Sequence, residues 1–266
     1  AAPSRVLVGL SADTGPYREA AAGAAEVLGE GAHSVVAGKA SPTVPAGVTA
    51  VIVLGSRASL WDYPAHVRLV HAMNPGLTDA GPQSVRVAME PEPAVLTDRL
   101  LGLQPRLRRL AVLHASTEAG EYAAALVRAG AARGIAVHSH VLAEKGALPD
   151  VLRNLAGKVD ALWIPPDPML INATSLTNLI EFARANRIPL YVPTAGLVSL
   201  GATAAVAPSF QEFGRLGALA ATGAVSASAA VVYPAEVETV VSRKGMEAAG
   251  LWLKDASPPV GVRVLP

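Results

Sequence analysis

The segment over residues 159–215 constrains the fold more than any other part of this sequence. It contains a short apolar run at 160–164 that ends at Pro-Pro-Asp-Pro, followed by an amphipathic helical pattern that ends near Asn186. A second apolar run at 188–192, a turn that contains glycine, a third strand, another turn and a helix complete it. Short apolar strands separated by a helix predict a parallel sheet with right-handed crossovers. Ligands of such sheets bind beyond the carboxyl ends of the strands, so we expect the turns that follow the first two runs to form a binding edge.

The rest of the chain repeats this alternation in two consecutive series. Glu90-Pro-Glu-Pro93 separates them, and we predict that it is a rigid, solvated connector that acts as a hinge. The predicted architecture is therefore α/β, with two similar lobes joined at this connector. In the first series we predict strands at 5–10, 33–37, 50–54, 67–72 and 84–89 and a helix at 16–29. In the second we predict helices at 94–103, 118–133 and 148–155 and strands at 109–114 and 135–141.

Composition limits the classes of function. Of the 266 residues, 51% are hydrophobic and only 16% are charged, so a large buried core is available. No apolar run approaches the roughly 18 residues that a membrane helix needs, which predicts a soluble globular protein. The net charge of +1 gives no reason to expect nucleic acid. Because the chain has no cysteine, thiol catalysis, disulfides and cysteine-ligated metals are excluded.

The motifs of common catalysts are missing or incomplete. The turn after the first strand has too few glycines for the glycine-rich loop that binds a dinucleotide. Ser56 follows Gly55 but lacks the Gly-x-Ser-x-Gly pattern of a nucleophile elbow. His138 and His140 share one face of a strand, yet two ligands without a third favour a solvated face over a metal site. We expect no catalytic residue, no metal and no cofactor.

Several short motifs occur together in the second half of the chain. They are Asp160-Ala-Leu-Trp-Ile-Pro-Pro-Asp, Ala185-Asn-Arg-Ile-Pro189, Gly201-Ala-Thr-Ala-Ala-Val206, Phe213-Gly-Arg215, Tyr233-Pro-Ala-Glu-Val-Glu-Thr239 and Lys244-Gly-Met-Glu-Ala-Ala-Gly-Leu251. Together they resemble the ABC-transporter substrate-binding proteins of the tryptophan/tyrosine-uptake type. Roughly the first ninety residues resemble that family only in their pattern of strands and helices.

The resemblance implies a type I periplasmic binding protein fold, in which two Rossmann-like lobes with parallel sheets are joined by a hinge. It implies an N-terminal lobe of residues 1–90 and 208–233 and a C-terminal lobe of residues 91–207 and 234–266. A small molecule would bind between lobes that close over it. The implied function is that of a solute-binding protein, not an enzyme, which delivers its ligand to a membrane transporter permease.

The start of the sequence carries an expectation about location. Ala1-Ala-Pro-Ser-Arg5 stands directly before the first predicted strand. This arrangement is typical of an exported protein whose signal peptide has been removed. With the resemblance, it leads us to expect a periplasmic protein that is a monomer and binds no nucleic acid.

Candidate ligand-binding residues are those that follow the predicted strands and so face the space between the lobes. Their polar groups would orient a ligand, and their aromatic and thioether groups would supply apolar contact. Several also suit the first position of a helix, where their role would be to cap it. The candidates are Ser11, Asp13, Thr14, Ser56, Arg57, Trp61, Ser116, Glu118, Tyr122, Asp167, Met169, Asn172, Thr194 and Phe210.

These residues leave the ligand open. An amino acid needs a carboxylate for its ammonium group and donors for its own carboxylate, which Asp13 or Asp167 and Arg57 would supply. The rim is otherwise apolar and suits an aromatic or hydrophobic molecule, so a carrier of lipid or sterol-like cargo is an alternative. A second alternative is the effector-sensing domain of a regulator, although such a domain normally follows a DNA-reading helix-turn-helix. An enzyme would need a buried histidine or carboxylate pair in the cleft.

Overall fold

The structure is a computed structural model that describes residues 5–29, 32–38, 41–75, 77, 81, 84–225, 230–252 and 257–266. The chain divides into two compact units. Unit 1 comprises Ala1–Met89 and Pro208–Glu236, and unit 2 comprises Glu90–Ala207 and Val237–Pro266. The chain therefore passes from one unit to the other three times, so each unit is assembled from two separate stretches of sequence.

Strands and helices alternate along most of the described chain. The strands are β1 (Arg5–Leu10), β2 (Ala32–Val36), β3 (Val48–Leu54), β4 (Arg68–Ala72), β5 (Ser84–Val87), β6 (Arg109–His114), β7 (Ala136–Val141), β8 (Ala161–Trp163), β9 (Leu190–Val192), β10 (Ala204–Ala207), β11 (Val231–Val232), β12 (Glu238–Ser242) and β13 (Val262–Leu265). The helices are α1 (Gly15–Leu28), α2 (Pro93–Leu103), α3 (Thr117–Ala131), α4 (Leu148–Leu155), α5 (Ala173–Asn186), α6 (Ala195–Ser199), α7 (Phe210–Thr222) and α8 (Arg243–Ala248). None of the helices in the described part of the chain is long and apolar enough to cross a membrane.

Unit 1 is built on a sheet whose strands follow the order β11-β5-β4-β3-β1-β2. All the described neighbours in it are parallel. β3 lies inside the sheet and has only one exposed residue, which is typical of a strand covered on both faces. Helices α1 and α7 pack against each other and join the apolar core around Ile52, Val70 and Val85. Because α7 and β11 come from the second stretch, unit 1 is complete only after the chain returns from unit 2.

Two glycines allow α1 and α7 to approach closely. A Cβ atom on Gly23 would overlap the carbonyl oxygen of Gln211, and a Cβ atom on Gly214 would overlap that of Ala20. The two helix backbones therefore touch without intervening side chains. Gly214 belongs to one of the family-like motifs, and its packing gives that motif a structural role.

Unit 2 is built on a sheet in the order β13-β12-β10-β9-β8-β6-β7. Its neighbours are parallel except β10 and β12, which pair antiparallel. The prediction of an α/β fold with two parallel sheets is thus confirmed, with one antiparallel pair as the exception. The chain reaches β12 from unit 1 and not through a crossover helix on this sheet, so the constraint that makes neighbouring βαβ strands parallel does not apply there.

One predicted turn proved to contain a helix. In the opening segment, the residues between the second and third strands form α6, which buries Leu197 and Val198. A helix of five residues is too short to display a helical period in the sequence, so the prediction of a plain turn was wrong. The predicted helix at 94–103 begins one residue earlier, at Pro93, because proline fits the first helical turn.

Candidate functional site

The carboxyl ends of three neighbouring strands form one edge of the unit 1 sheet. β1, β3 and β4 are parallel neighbours, so the residues that follow them lie side by side. The backbone N–H of Ser11 donates to the carbonyl of Leu54 at 2.9 Å, and that of Gly55 donates to the carbonyl of Ala72 at the same distance. The predicted residues Ser11, Asp13, Thr14, Ser56 and Arg57 follow β1 and β3 at this edge.

Ser11 is buried and already bonded within unit 1. Its hydroxyl accepts a hydrogen bond from the backbone N–H of Ala58 at 2.9 Å, which joins the loop after β1 to the turn after β3. Gly55 makes room for this contact, since it has a φ of +88° and a Cβ atom there would lie 2.7 Å from the Ser11 oxygen. The structure thus brings Ser11 together with the turn that holds Ser56 and Arg57, both of which are exposed.

Asp13 and Thr14 lie at the exposed start of α1. Both oxygens of the Asp13 carboxylate accept hydrogen bonds from the guanidinium of Arg18, at 2.6 and 2.9 Å. This bonding lowers the pKa of Asp13. Thr14 is the N-cap residue of α1 but makes no side-chain capping bond. Asp13 therefore has a cationic partner in the helix that follows it.

Aromatic side chains cover the turn after β3. Trp61 is buried and packs over Gly9, where a Cβ atom would lie 3.0 Å from the indole ring. The Tyr63 hydroxyl donates to the carbonyl of Ala58 at 2.8 Å, and the rings of Trp61 and Tyr63 lie 6.1 Å apart. Leu60, in contrast, is 83% exposed at the same turn. Leu60 is thus an exposed apolar side chain beside the polar edge, whereas Trp61 is part of the core of unit 1.

A polar group that the sequence reasoning missed lies at the same edge. The Ser59 hydroxyl donates to the carbonyl of Gly55 at 3.0 Å, accepts from the Asn74 amide at 2.8 Å, and lies 3.3 Å from Nδ1 of His71. His71 is buried, and this burial lowers the pKa of its imidazole. Met73, which follows β4, adopts a φ of +54°, an uncommon conformation for a residue with a side chain. The position of His71 near the end of a predicted strand was the available signal.

In unit 2 the carboxylate of Asp167 holds two loops together. One of its oxygens, Oδ2, accepts hydrogen bonds from the backbone N–H groups of Ala115 at 2.7 Å and Ser116 at 2.9 Å. The other, Oδ1, accepts from the N–H of Met169 at 2.9 Å. The side chain is buried, with Asp167 only 2% exposed. The structure therefore brings the predicted residues Ser116, Asp167 and Met169 together, with the carboxylate bonded to the protein backbone.

The other predicted residues of unit 2 cap helices or fill its core. The hydroxyl of Ser116 caps α3 and the side-chain oxygen of Asn172 caps α5, at 3.2 and 3.0 Å. Thr194 precedes α6 without a side-chain capping bond. Tyr122 is buried, and its hydroxyl donates to the carbonyl of Pro91 at 2.7 Å. The side chain of Glu118 lies outside what the structure describes.

Two further aromatic side chains pack into the protein interior, one in each unit. Trp163 lies 5.3 Å from the Tyr122 ring, is fully buried, and its indole N–H has no hydrogen-bond partner among the described residues. Phe210, the last predicted site residue, begins α7 and packs partly into the core of unit 1. A buried donor without a partner is uncommon in proteins. The sequence places Trp163 in a family-like motif but gives no sign of this unpartnered N–H group.

The histidines of β6 and β7 do not form a metal centre. His138 is exposed, whereas His140 is half-buried and its pKa is lowered by burial and by the neighbouring His138 and His114. His114 is buried and its Nε2 lies 2.8 Å from the hydroxyl of Ser139. Among the described residues, no group of three or more histidine, aspartate or glutamate side chains is arranged to hold a metal ion. The side chains that follow the strands in both units are suited to binding a ligand by hydrogen bonds and apolar contacts.

Comparison with known families identifies one match. The family model for ABC transporter substrate binding protein matches residues 98–244, which is more than half of the chain. A search of curated proteins finds no match.

Solved structures share the fold at low sequence identity. The ligand-free, open structure of CD0873, a substrate-binding protein with adhesive properties from Clostridium difficile, has a TM-score of 0.65 and 13% identity, and the match covers 98% of this chain and 99% of that one. The ABC domain from Streptococcus pneumonia, in complex with L-Trp, has a TM-score of 0.56 and 15% identity over 92% and 94% of the two chains. A conserved domain protein from Vibrio cholerae has a TM-score of 0.58 and 13% identity over 95% and 96%. At these identities the similarity establishes the fold alone.

Proposed function

Since this chain belongs to the family of ABC transporter substrate-binding proteins, we propose that it captures a small molecule outside the cytoplasm and delivers it to a transporter permease. Its two α/β units of mostly parallel strands have the architecture of type I periplasmic binding proteins. In this role the protein binds and releases its ligand without making or breaking a bond. The family match over residues 98–244 is the observation that carries the proposal.

We propose that the ligand is aromatic or hydrophobic and that the carboxyl-terminal strand edges of the units bind it. Both carboxylates considered for an amino-acid ammonium group are engaged, Asp13 with Arg18 and Asp167 with three backbone N–H groups. Asp167 is buried and would reach a ligand only if its loops separated, and Asp13 already shares its charge with Arg18. This engagement argues against a free amino acid as the preferred ligand.

The groups that remain at the unit 1 edge favour an apolar molecule with one polar or acidic group. Leu60 is exposed and Tyr63 is half-buried, whereas Trp61 is buried in the core beneath them. Arg57 is exposed with no ion pair to any described residue. The Ser59–His71–Asn74 group adds hydrogen-bonding capacity at this edge. A mostly apolar surface with a few orienting polar groups is the usual composition of a small-molecule site.

Native mass spectrometry on protein purified without refolding tests the proposal directly. We expect a bound molecule of low mass that is released on activation and identified by its fragments. An aromatic or hydrophobic compound supports the proposed ligand class, and a lipid or sterol supports the alternative cargo. A sugar would contradict the ligand class, whereas a released nucleotide cofactor with turnover of added substrate would contradict the proposed function itself.

If the released molecule is added back to ligand-free protein, thermal unfolding should shift to a higher temperature, because a ligand that binds only the native state stabilises it. Tryptophan, which the Streptococcus protein binds, is compared with indole-3-propionate, which keeps the ring and the carboxylate but lacks the ammonium group. The proposed ligand class predicts the larger thermal shift with indole-3-propionate. We also propose that binding makes the protein more compact, as expected for closing lobes, and small-angle scattering with and without ligand measures this. Unchanged scattering at saturation would contradict closure.

A further inference from the structure

A cavity lies wholly within unit 2, at the edge of its sheet opposite Asp167. Its volume is ≈ 540 Å³, within the range of about 300–1,000 Å³ that small-molecule sites occupy. Ile188 and Leu190 line it at the start of β9, and Thr203 lines it just before β10. The cavity is thus at the amino-terminal edge of these strands, whereas Asp167 follows the carboxyl end of β8.

The antiparallel strand β12 closes this edge. Because β12 runs against β10, its last residue, Ser242, lies beside the start of β10 and leads into α8. The backbone N–H of Ser242 donates to the carbonyl of Thr203 at 2.9 Å. Gly245 of α8 packs so closely that a Cβ atom on it would lie 3.0 Å from the Cα of Thr203. The wall formed by α8 is therefore held firmly against the sheet.

Apolar side chains form much of the lining. Ile180 of α5, Val198 of α6 and Leu265 of β13 join Ile188 and Leu190 there. Val198 and Leu190 are buried in the core, so this part of the surface is continuous with a packed interior. Leu200, which is 67% exposed, stands between the lining residues Ser199 and Gly201.

Two cationic side chains also line the cavity. They are Arg184 of α5 and Lys244 of α8, which come from different sides and are both exposed. Neither forms an ion pair or a side-chain hydrogen bond with any residue in the described ranges. No acidic side chain is among the lining residues that the structure describes. An apolar surface with two unpaired cations at its sides matches a molecule with an apolar body and an anionic group.

We propose that this cavity is a second binding site, for a small amphipathic anion such as a carboxylate with an apolar chain. Arg184 and Lys244 bind the anionic group, and the surface around Ile180, Ile188 and Leu265 takes the chain. The site is independent of the proposed transport function, because it lies in a different part of unit 2 from Asp167 and uses none of the predicted ligand-binding residues. A molecule bound in this cavity would leave the carboxyl-terminal edge of the unit 2 sheet, near Asp167, free to bind another ligand.

Octanoate is a suitable probe, with 1-octanol as the neutral molecule of the same chain length. In ¹⁵N-labelled protein, we expect octanoate to shift the backbone amide signals of Gly201, Thr203, Gly245 and Ala249 in a saturable manner. Octanol should bind more weakly, since it cannot pair with the two cations. Shifts confined to the residues around Asp167 would overturn the proposal, as would equal binding of the two probes.

Charge variants identify the residues that bind the anion. The double variant Arg184→Gln/Lys244→Gln should raise the dissociation constant of octanoate about tenfold, the effect of losing one charge-assisted hydrogen bond or more. The control Arg128→Gln/Lys158→Gln makes the same change in net charge at two exposed residues of unit 2 that do not line the cavity. It should leave the dissociation constant unchanged. An equal loss in both double variants would show a general charge effect and overturn the assignment.

A steric variant tests the place of binding separately. Ala248 is exposed and lines the cavity, so Ala248→Trp should obstruct it without disturbing the core. We expect octanoate to lose its effect on the four amide signals, whereas the amide signals of residues distant from Ala248 should keep their positions in the unchanged protein, which shows that the variant is folded. If octanoate still binds as it does to the unchanged protein, the cavity is not its site.

Discussion

The Cα atom of Gly214 packs directly against the backbone of Ala20, and a Cβ atom at position 214 would lie only 3.0 Å from the Ala20 Cα while overlapping its carbonyl oxygen. This contact joins α7 to α1 across almost two hundred residues of sequence. It depends on backbone atoms, which move only if the helices separate. A methyl group is therefore enough to disturb it.

We predict that Gly214→Ala lowers the free energy of unfolding by about 3 kcal/mol, the upper range for overpacking a close contact. Urea denaturation followed by circular dichroism measures the change. The matched control is Gly102→Ala in α2, where a Cβ atom meets nothing within 4 Å. There the substitution should be neutral or stabilising by about 0.5–1 kcal/mol, because alanine favours a helix over glycine. Equal stabilities for the two variants would contradict the close packing.

We predict that Asp167→Asn lowers the stability of the protein whether or not ligand is present. The change replaces a carboxylate that accepts three backbone N–H bonds by an amide whose NH₂ group faces donors. We expect a loss of about 2–3 kcal/mol, typical of hydrogen bonds to a buried charged group. The control Asp150→Asn removes an exposed ion pair with Arg153 and should cost less than about 0.5 kcal/mol. A variant that is as stable as the parent but no longer binds ligand would instead make Asp167 a ligand contact.

We predict that His71 makes the protein less stable at mildly acidic pH. Burial lowers the pKa of His71, so the folded state disfavours the protonated imidazole while the unfolded chain binds a proton at its ordinary pKa of about 6.5. The stability contributed by the neutral ring is therefore complete above that value and is lost as the pH falls through it towards the lower folded pKa.

Urea denaturation between about pH 7.5 and pH 5 measures this dependence. The variant His71→Gln should have a shallower decline in unfolding free energy with falling pH than the unchanged protein. The same substitution at the exposed His66 is the control and should leave the decline as it is. If His71→Gln keeps the full decline, other groups are responsible for it.

We predict that Arg57→Ala lowers the affinity for an acidic ligand about tenfold and leaves the affinity for a neutral analogue unchanged. The reason is that Arg57 is exposed at the unit 1 edge without a structural partner among the described residues. Isothermal titration with the molecule released in native mass spectrometry, and with its amide, measures both affinities. Arg106→Ala removes a similarly exposed arginine that precedes β6 and should change neither. Loss of affinity for the neutral amide as well would indicate a disturbed site and not a lost charge contact.

The predicted elements and the observed ones agree where the apolar pattern is strong. The strand at 109–114 and the helix at 148–155 have the predicted bounds, because a strand covered on both faces is uniformly apolar and an amphipathic helix repeats its apolar face. Neither the short helix α6 nor the antiparallel direction of β12 was predicted. The first has too few residues to show a period, and the second depends on which strand β12 happens to meet.

The candidate site was predictable only as a set of loops. The carboxyl ends of parallel strands meet at one edge, which places Ser11, Ser56 and Arg57 at one end of the unit 1 sheet. The pattern does not say which polar groups are already bonded. The contacts among these polar groups were missed because Ser59, the common partner of His71 and Asn74, lies 12 and 15 residues before them in the sequence.

The sequence by itself determined the alternation of strands and helices and the loops that follow each strand, since these depend on local periodicity and on proline and glycine. Only the tertiary structure decided what the polar side chains in those loops do. Asp167 lies within a proline-rich turn and resembles a ligand contact in sequence, yet its carboxylate accepts hydrogen bonds from backbone N–H groups more than fifty residues earlier in the chain. Likewise, Gly23 and Gly214 have no visible relationship until α1 and α7 pack together. The physical reason is that hydrogen bonds and close packing join groups near in space, and that proximity arises only when the chain has folded.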